Sequence, residues 1–297
     1  MSKAFFYFPL VLGVFAFSNV SAQITALHAK IDSIARDARG TVGFAMLNIE
    51  SRDTLSYHGN MHLPMQSVMK FPIAITVLHD IDEGQFTLNQ LIHIDKSDLP
   101  KTYSPLRDKY PEGNVDISIS ELLSYMVSLS DNNACDILLK TLGGPEVVDQ
   151  YMHSFGIKQI AVKASEFQMA QGWDVQFTNW VEPKTMVRLL DIATKPNFLS
   201  KASHDYLWKI MEATSTGPNQ IKDLLPVGTI VAHKTGRSGT NDQGISAATN
   251  DIGLITLPNG KHLAIAIMIT NSTADLTTRE SVIARIAKAA YDDAILK

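Results

Sequence analysis

Strand-like sequence is confined to the two ends of this chain, and that segregation limits its possible architectures more than any other feature. Near the start, "TVGFAMLNI" and "TLSYHG" are separated by the turn-like "ESRD". Beyond about Met211, "GTIVAHKTG", "TNDIGLITLP" and "KHLAIAIMITN" are β-rich, and "PNG" between the last two is a hairpin signal. From Ser67 to about Met211 the pattern is mostly helical; Ser118 with Glu121 forms a capping-box start for "ELLSYMVSL". Ile24, Leu27, Ile31 and Ile34 follow a helical spacing that stops at Gly40, a residue suited to the position just past a helix end. A final amphipathic helix follows Thr277, with Val282, Ile283, Ile286, Ala290 and Ile295 on its buried side. Strands so widely separated can share a core only by pairing with one another. The expected fold is therefore α/β in the α+β sense: one antiparallel five-stranded sheet built from both ends, flanked by the terminal helices. Residues 23–66 and 212–297 would form this discontinuous sheet domain, and residues 67–211 an inserted all-helical domain. A cleft between two such halves is a preferred place for a ligand.

The first 22 residues stand apart. Lys3 precedes an apolar run from Ala4 to Phe17, and Val20-Ser21-Ala22 places small residues at a cleavage site. This pattern reads as a secretory signal peptide cut after Ala22, too short in its apolar run for a membrane span. The mature protein is expected to be periplasmic or secreted, with no membrane anchor, and monomeric. Cys135 is the only cysteine, so an internal disulfide is excluded and burial must stabilise the fold. A net charge of −4 with dispersed acidic and basic residues gives no footprint for nucleic acid, which leaves small molecules as the expected partners.

Within the helical block, "MQSVMKFPIAITVLH" is nearly all apolar from Val68 to Leu78, as in a helix buried on every side, yet it contains Lys70. Removing an ammonium from water costs several kcal/mol unless it is paired or neutralised. Ser67 lies three residues before Lys70 and shares its helical face, while Pro72 is tolerated only in a first turn, so the helix is expected to begin at Ser67. A serine at that end of the helix dipole, beside a desolvated lysine, can act as an activated nucleophile. The same residues also read as an N-cap with a snorkelling lysine. Ser130-Asp131-Asn132 could likewise cap a helix, and Lys234-Thr235-Gly236 could be a strand end turning at glycine.

Taken together, Ser-x-x-Lys, Ser-Asp-Asn and Lys-Thr-Gly form the three-part signature of penicillin-recognising serine enzymes. Over essentially the whole mature sequence the chain resembles the class A serine β-lactamases. Its stretch "HKTGRSGTN…ATNDIGLITLPNGKH" resembles the extended-spectrum subgroup of PER and VEB types. The resemblance implies hydrolysis of penicillins and cephalosporins through a serine acyl-enzyme, conferring resistance, with no cofactor and no metal. It makes Ser67 the nucleophile, Ser130 the proton relay, and Glu166, in the long aperiodic loop "KASEFQMAQGWDVQFTNW", the residue that activates the deacylating water. Either Lys70, or Glu166 acting through a water, takes the serine proton. Asn132 would hold the substrate amide, Lys234, Thr235, Gly236 and Arg237 would line the substrate carboxylate, and the backbone N–H groups of Ser67 and Arg237 would form the oxyanion hole. A D-alanyl-D-alanine peptidase or a penicillin-sensing domain would share the three motifs but not Glu166. The chain also departs from the common pattern. Gly244 and Gln220 stand where arginines usually support carboxylate binding, which shifts that expectation to Arg237. Ala164, Asn179 and Ala170 stand where the loop's arginine, aspartate and water-holding asparagine are usual, so a loop of altered path and a roomy site are expected.

Overall fold

The structure, a computed structural model, describes residues 25–296; the expected signal peptide and its cleavage point lie outside the described residues. Strands β1 (Thr41–Asn48), β2 (Thr54–Tyr57), β3 (Val231–Arg237), β4 (Ser246–Thr256) and β5 (His262–Ser272) form one sheet in the order β2-β1-β5-β4-β3. Every neighbouring pair is antiparallel. The two ends of the chain are joined by β1 and β5, in register from Thr41 opposite Thr270 to Asn48 opposite Leu263. The β4–β5 hairpin turns through residues 257–261, where Leu257 N donates to Lys261 O at 2.8 Å and Gly260 takes φ +77°.

The principal helices are α1 (25–35), α2 (Lys70–Asp82), α3 (Ile119–Ser128), α4 (Asn132–Leu142), α5 (Pro183–Ala193), α6 (Lys201–Glu212) and α7 (Leu276–Ile295). The strand period of two divides β5 between two cores. Leu263, Ile265, Ile267 and Ile269 join the cluster formed with α1 and α7, while Ala264, Ala266 and Met268 join the cluster that holds α2 to α6. Each fully buried leucine or isoleucine contributes about 1.5–3 kcal/mol, so the sheet is fixed from both sides. Among the described residues no helix is long and apolar enough to cross a membrane.

Several details differ from the sequence reading. Ile295 is 44% exposed, because it closes α7 where the helix leaves the sheet. After α1 a 3-10 turn, Arg36–Ala38, continues the chain, and Arg39 rather than Gly40 adopts the left-handed conformation (φ 44°). Gly40 is needed for close approach: a Cβ there would lie 2.7 Å from both Thr270 O and Ser272 Cα. At α3, Ser118 Oγ accepts from Glu121 N at 3.2 Å, but the Glu121 carboxylate faces Lys109 at 3.7 Å, leaving half a capping box. The middle segment also contains strands. Leu91–Asp95 pairs with Gly113–Ser118, and Trp180–Val181 and Ile160–Ala161 form a small sheet with Leu63–Pro64, which precedes the segment, so the inserted part is not all-helical. The alternation of "LIHID", with Ile94 buried between the exposed His93 and Asp95, follows the strand period.

For the site, the placement of β3 is decisive. It is an edge strand, so one of its sides has no strand partner and faces the helical segment. Gly236 allows β3 to press against the turn carrying Ser67; a Cβ there would lie 2.5 Å from Met65 O and 3.0 Å from Val68 N.

Candidate active site

Ser67 lies in a 3-10 turn, Gln66–Met69, that leads into α2, so the α-helix proper starts three residues later than expected, at Lys70. Gln66 is left-handed at φ 49°, a strained conformation costing about 1–3 kcal/mol for a residue with a Cβ. Neighbouring segments hold the turn. Met65 N donates to Asn179 O at 2.9 Å, and Asn250 Nδ2 donates to Pro64 O at 2.8 Å and Met65 O at 3.0 Å.

Lys70 has no exposed surface, and its burial is offset by four oxygens. Nζ donates to Ser67 Oγ at 3.0 Å, to the Ser130 carbonyl at 2.8 Å and to Asn132 Oδ1 at 2.6 Å, and it pairs with Glu166 Oε1 at 2.8 Å. Ser67 Oγ in turn donates to Glu166 Oε1 at 3.1 Å. The serine hydroxyl is thus held between a cation and a carboxylate.

Ser130 is also left-handed, at φ 58°. That conformation turns its carbonyl toward Lys70 while its hydroxyl accepts from Lys234 Nζ at 2.8 Å. Between them Asp131 caps α4 by accepting from Ala134 N at 2.9 Å, so the capping role and the site role of this motif coexist. Lys234, also fully buried, donates to its neighbour's carbonyl, Thr235 O, at 2.8 Å. Burial, and then the charge of Lys70, pushes the Lys234 ammonium well below its ordinary pKa. Thr235 Oγ1 shares a 2.6 Å hydrogen bond with Thr216 Oγ1, a residue the motifs do not mark.

The segment carrying Glu166 is fixed without an ion pair between residues 164 and 179. Asn179, fully buried, accepts through Oδ1 from Lys163 N (2.7 Å) and Ala164 N (2.9 Å) and donates through Nδ2 to Ala164 O (2.7 Å). Ser165 and Gln168 make a reciprocal capping box around the helical turn Glu166–Met169. From α4, Asp136 accepts the backbone N–H groups of Glu166 and Phe167, both at 2.8 Å. Burial pushes the Asp136 carboxyl up to about 6, although both N–H groups oppose the shift. Sequence reading missed Asp136; its position four residues after Asn132, on the same face of α4, was the available signal.

These elements enclose an open cavity of about 510 Å³. Ser67, Ser130, Asn132, Glu166, Thr235 and Arg237 line it, together with Gln66, Thr216, Gln220 and Glu280. Lys70 and Lys234 lie beneath its wall, and Gly236 supports the wall through its missing Cβ. Arg237 is exposed at the end of β3. Gln220 is 2% exposed, and its Oε1 has no hydrogen-bond partner. Ala170 contributes only a methyl group to the lining.

Comparison with known proteins agrees with this geometry. Residues 26–294 match the family model described as the β-lactamase enzyme family. The chain is 44% identical over 275 residues to β-lactamase VEB-1 of Pseudomonas aeruginosa, covering 92% of this chain and 91% of that protein. It is 39% identical over 283 residues to the extended-spectrum β-lactamase PER-1 of the same organism, covering 95% and 92%. The crystal structure of a β-lactamase from Chitinophaga pinensis superposes with a TM-score of 0.89 at 48% identity, covering 91% of this chain and 99% of that one. A family match spanning nearly every described residue, on a fold that brings the three motifs around one serine, establishes that the chain belongs to the β-lactamase enzyme family.

Proposed function

We propose that this protein hydrolyses the β-lactam amide of penicillins and cephalosporins through an acyl-enzyme on Ser67, and so confers resistance on its host. The observation that carries the reading is the position of Ser67 Oγ, 3.0 Å from Lys70 Nζ and 3.1 Å from Glu166 Oε1. Lys70 and Glu166 are both within hydrogen-bond reach of Ser67 Oγ, and either can take the hydroxyl proton, so acylation does not require Glu166. The oxygen attacks the lactam carbonyl, and the resulting oxyanion is received by the backbone N–H groups of Ser67 and Arg237. Ser130, polarised by Lys234, delivers its proton to the departing nitrogen and is reprotonated by the proton taken from Ser67, which leaves Glu166 ionised again. Glu166 then directs water onto the ester. Asn132 holds the substrate's side-chain amide, and Thr235 with Arg237 receives its carboxylate. A carboxylate within reach of the nucleophile distinguishes this reading from a peptidase or sensor that remains acylated.

The cavity's size and its Ala170 lining, together with the printed description of PER-1 as an extended-spectrum enzyme, support acceptance of bulky oxyimino-cephalosporins. We place the mature protein in the periplasm or medium, as a monomer. A chromogenic cephalosporin tests the central claim: the protein turns over many equivalents, and Ser67→Ala abolishes both turnover and a mass adduct. Retained labelling in that variant refutes the assignment. Cefotaxime and ceftazidime should be hydrolysed within about a thousandfold of benzylpenicillin in kcat/KM, a gap of about 4 kcal/mol; a larger deficit refutes the roomy site while leaving the reaction class intact.

A further inference from the structure

Gln66, immediately before the nucleophile, donates from Nε2 to Gln176 Oε1 at 2.7 Å, and both side chains are buried. Gln176 passes the connection on, since its own Nε2 donates to Trp173 O at 2.8 Å. Gln176 belongs to the 3-10 turn Val175–Thr178, at the far end of the segment that begins near Glu166. A second link runs beside the first, because Met65 N donates to Asn179 O, the residue that closes that turn. On its other side the nucleophile turn rests on rigid sheet through Asn250 and the close packing of Gly236. Of these restraints, only the glutamine pair grips the side chain of the strained residue itself.

That placement has a chemical consequence. The peptide that bears the Ser67 N–H, the donor assigned above to the oxyanion, is joined to the Gln66 Cα, so the left-handed backbone of Gln66 helps set its direction. A left-handed residue with a Cβ relaxes toward negative φ unless its surroundings hold it. A flip of that peptide, by opposite rotations about Gln66 ψ and Ser67 φ, would swing the N–H away from the lactam oxygen with little displacement of the Ser67 side chain. We propose that Gln66 and Gln176 form a positioning pair that locks the Ser67 N–H toward the substrate carbonyl and makes acylation depend on the distal end of the Glu166 segment. This rests on the acyl-enzyme reading of the site. Neither glutamine touches the reacting atoms. Their effect is exerted through the backbone of Ser67.

The test separates acylation from hydrolysis by working in the Glu166→Ala protein, where acyl-enzyme should accumulate and single-turnover mass spectrometry reads its formation with benzylpenicillin. Gln176→Met keeps volume but removes the acceptor, and Gln66→Met removes the donor from the opposite side. Each should slow acylation about tenfold, or 1.4 kcal/mol, and the double variant should be no slower than either single one, because both remove the same bond. Thermal unfolding is followed in parallel, and Gln66→Met supplies the reading should Gln176→Met fail to fold. Unchanged acylation in a folded single variant, or effects that multiply to about a hundredfold, would overturn the pair. If Glu166→Ala accumulates no acyl-enzyme at all, the failure lies with the reading of the site and not with the glutamines.

Discussion

Lys70 joins the chemistry of the site to its stability, because its amine and the Glu166 carboxylate are buried together and lie 2.8 Å apart. Removing one member of a buried pair strands the other and typically costs about 3–5 kcal/mol, whereas removing both costs much less. Lys70→Ala should therefore lower both turnover and thermal stability, and Lys70→Ala/Glu166→Ala should recover stability while remaining inactive. Differential scanning calorimetry with a steady-state assay checks this, and a double variant less stable than either single one would contradict it. Arg237 presents the opposite case, an exposed side chain for which we propose a role only with substrate bound. A charge-assisted contact contributes about 1.5–3 kcal/mol, so Arg237→Ala should raise KM roughly 10-fold to 100-fold for carboxylate-bearing substrates. A KM that barely moves would make the side chain a bystander. The Ser-x-x-Lys, Ser-Asp-Asn and Lys-Thr-Gly members of the candidate set were legible because that chemistry demands particular residue types at fixed local spacings, whereas Glu166 was reached only through the family resemblance. Gln176 and Thr216 carry no such signature, and Asp136 only its place one helical turn after Asn132. Each acquires its role only when the chain crosses back from elsewhere in the fold.

The segment around Glu166 shows the same limit at the scale of an element. Without an ion pair between residues 164 and 179, it is held by Asn179 and Asp136 through hydrogen bonds to backbone, and of these only the placement of Asp136 one turn after Asn132 gave any sign in the sequence. Asp136 makes the element pH-sensitive in two opposing ways. Burial raises its folded-state pKa from 3.8 to about 6. Its proton therefore stabilises the fold fully below about pH 4, and that contribution is lost as pH rises through 6. By pH 7 the loss is on the order of 3 kcal/mol. Only the ionised carboxylate, however, can accept both N–H groups well, so activity should fall with an apparent pKa near 6 as stability rises. Asp136→Asn offers one acceptor oxygen at every pH. It should lower kcat at pH 8 about tenfold, for a hydrogen bond worth roughly 1–3 kcal/mol, and flatten both the step in kcat near pH 6 and the fall in Tm between about pH 4 and 6. Retention of both steps in the variant would assign them to another group.

For the whole molecule, the segregation of strand signal to the chain ends was enough to infer the sheet. Local periodicity could not supply the division of labour between its faces. Every residue from Leu263 to Ile269 is apolar, so the string gives no inside and outside; both faces are inside, and only residue size alternates. The large isoleucines meet α1 and α7, while the alanines let the helical segment approach closely on the other face. Stability and catalysis should therefore be separable across a sheet one residue thick. Ile265 is fully buried in the cluster with Val282, Ile286 and Ala290 of α7, on the face away from α2. Ile265→Ala removes transferred surface and leaves a cavity, a change costing about 2–5 kcal/mol, which in a chain of this size lowers Tm by roughly 5–15 °C. Because β4 and β3 remain paired through their own register and Asn250 still holds the nucleophile turn, kcat/KM at 25 °C should stay within about twofold of the parent, less than 0.5 kcal/mol. A loss of activity in the folded variant proportional to its loss of stability would show that the two cores act as one unit and that the sheet does not insulate the site from its opposite face.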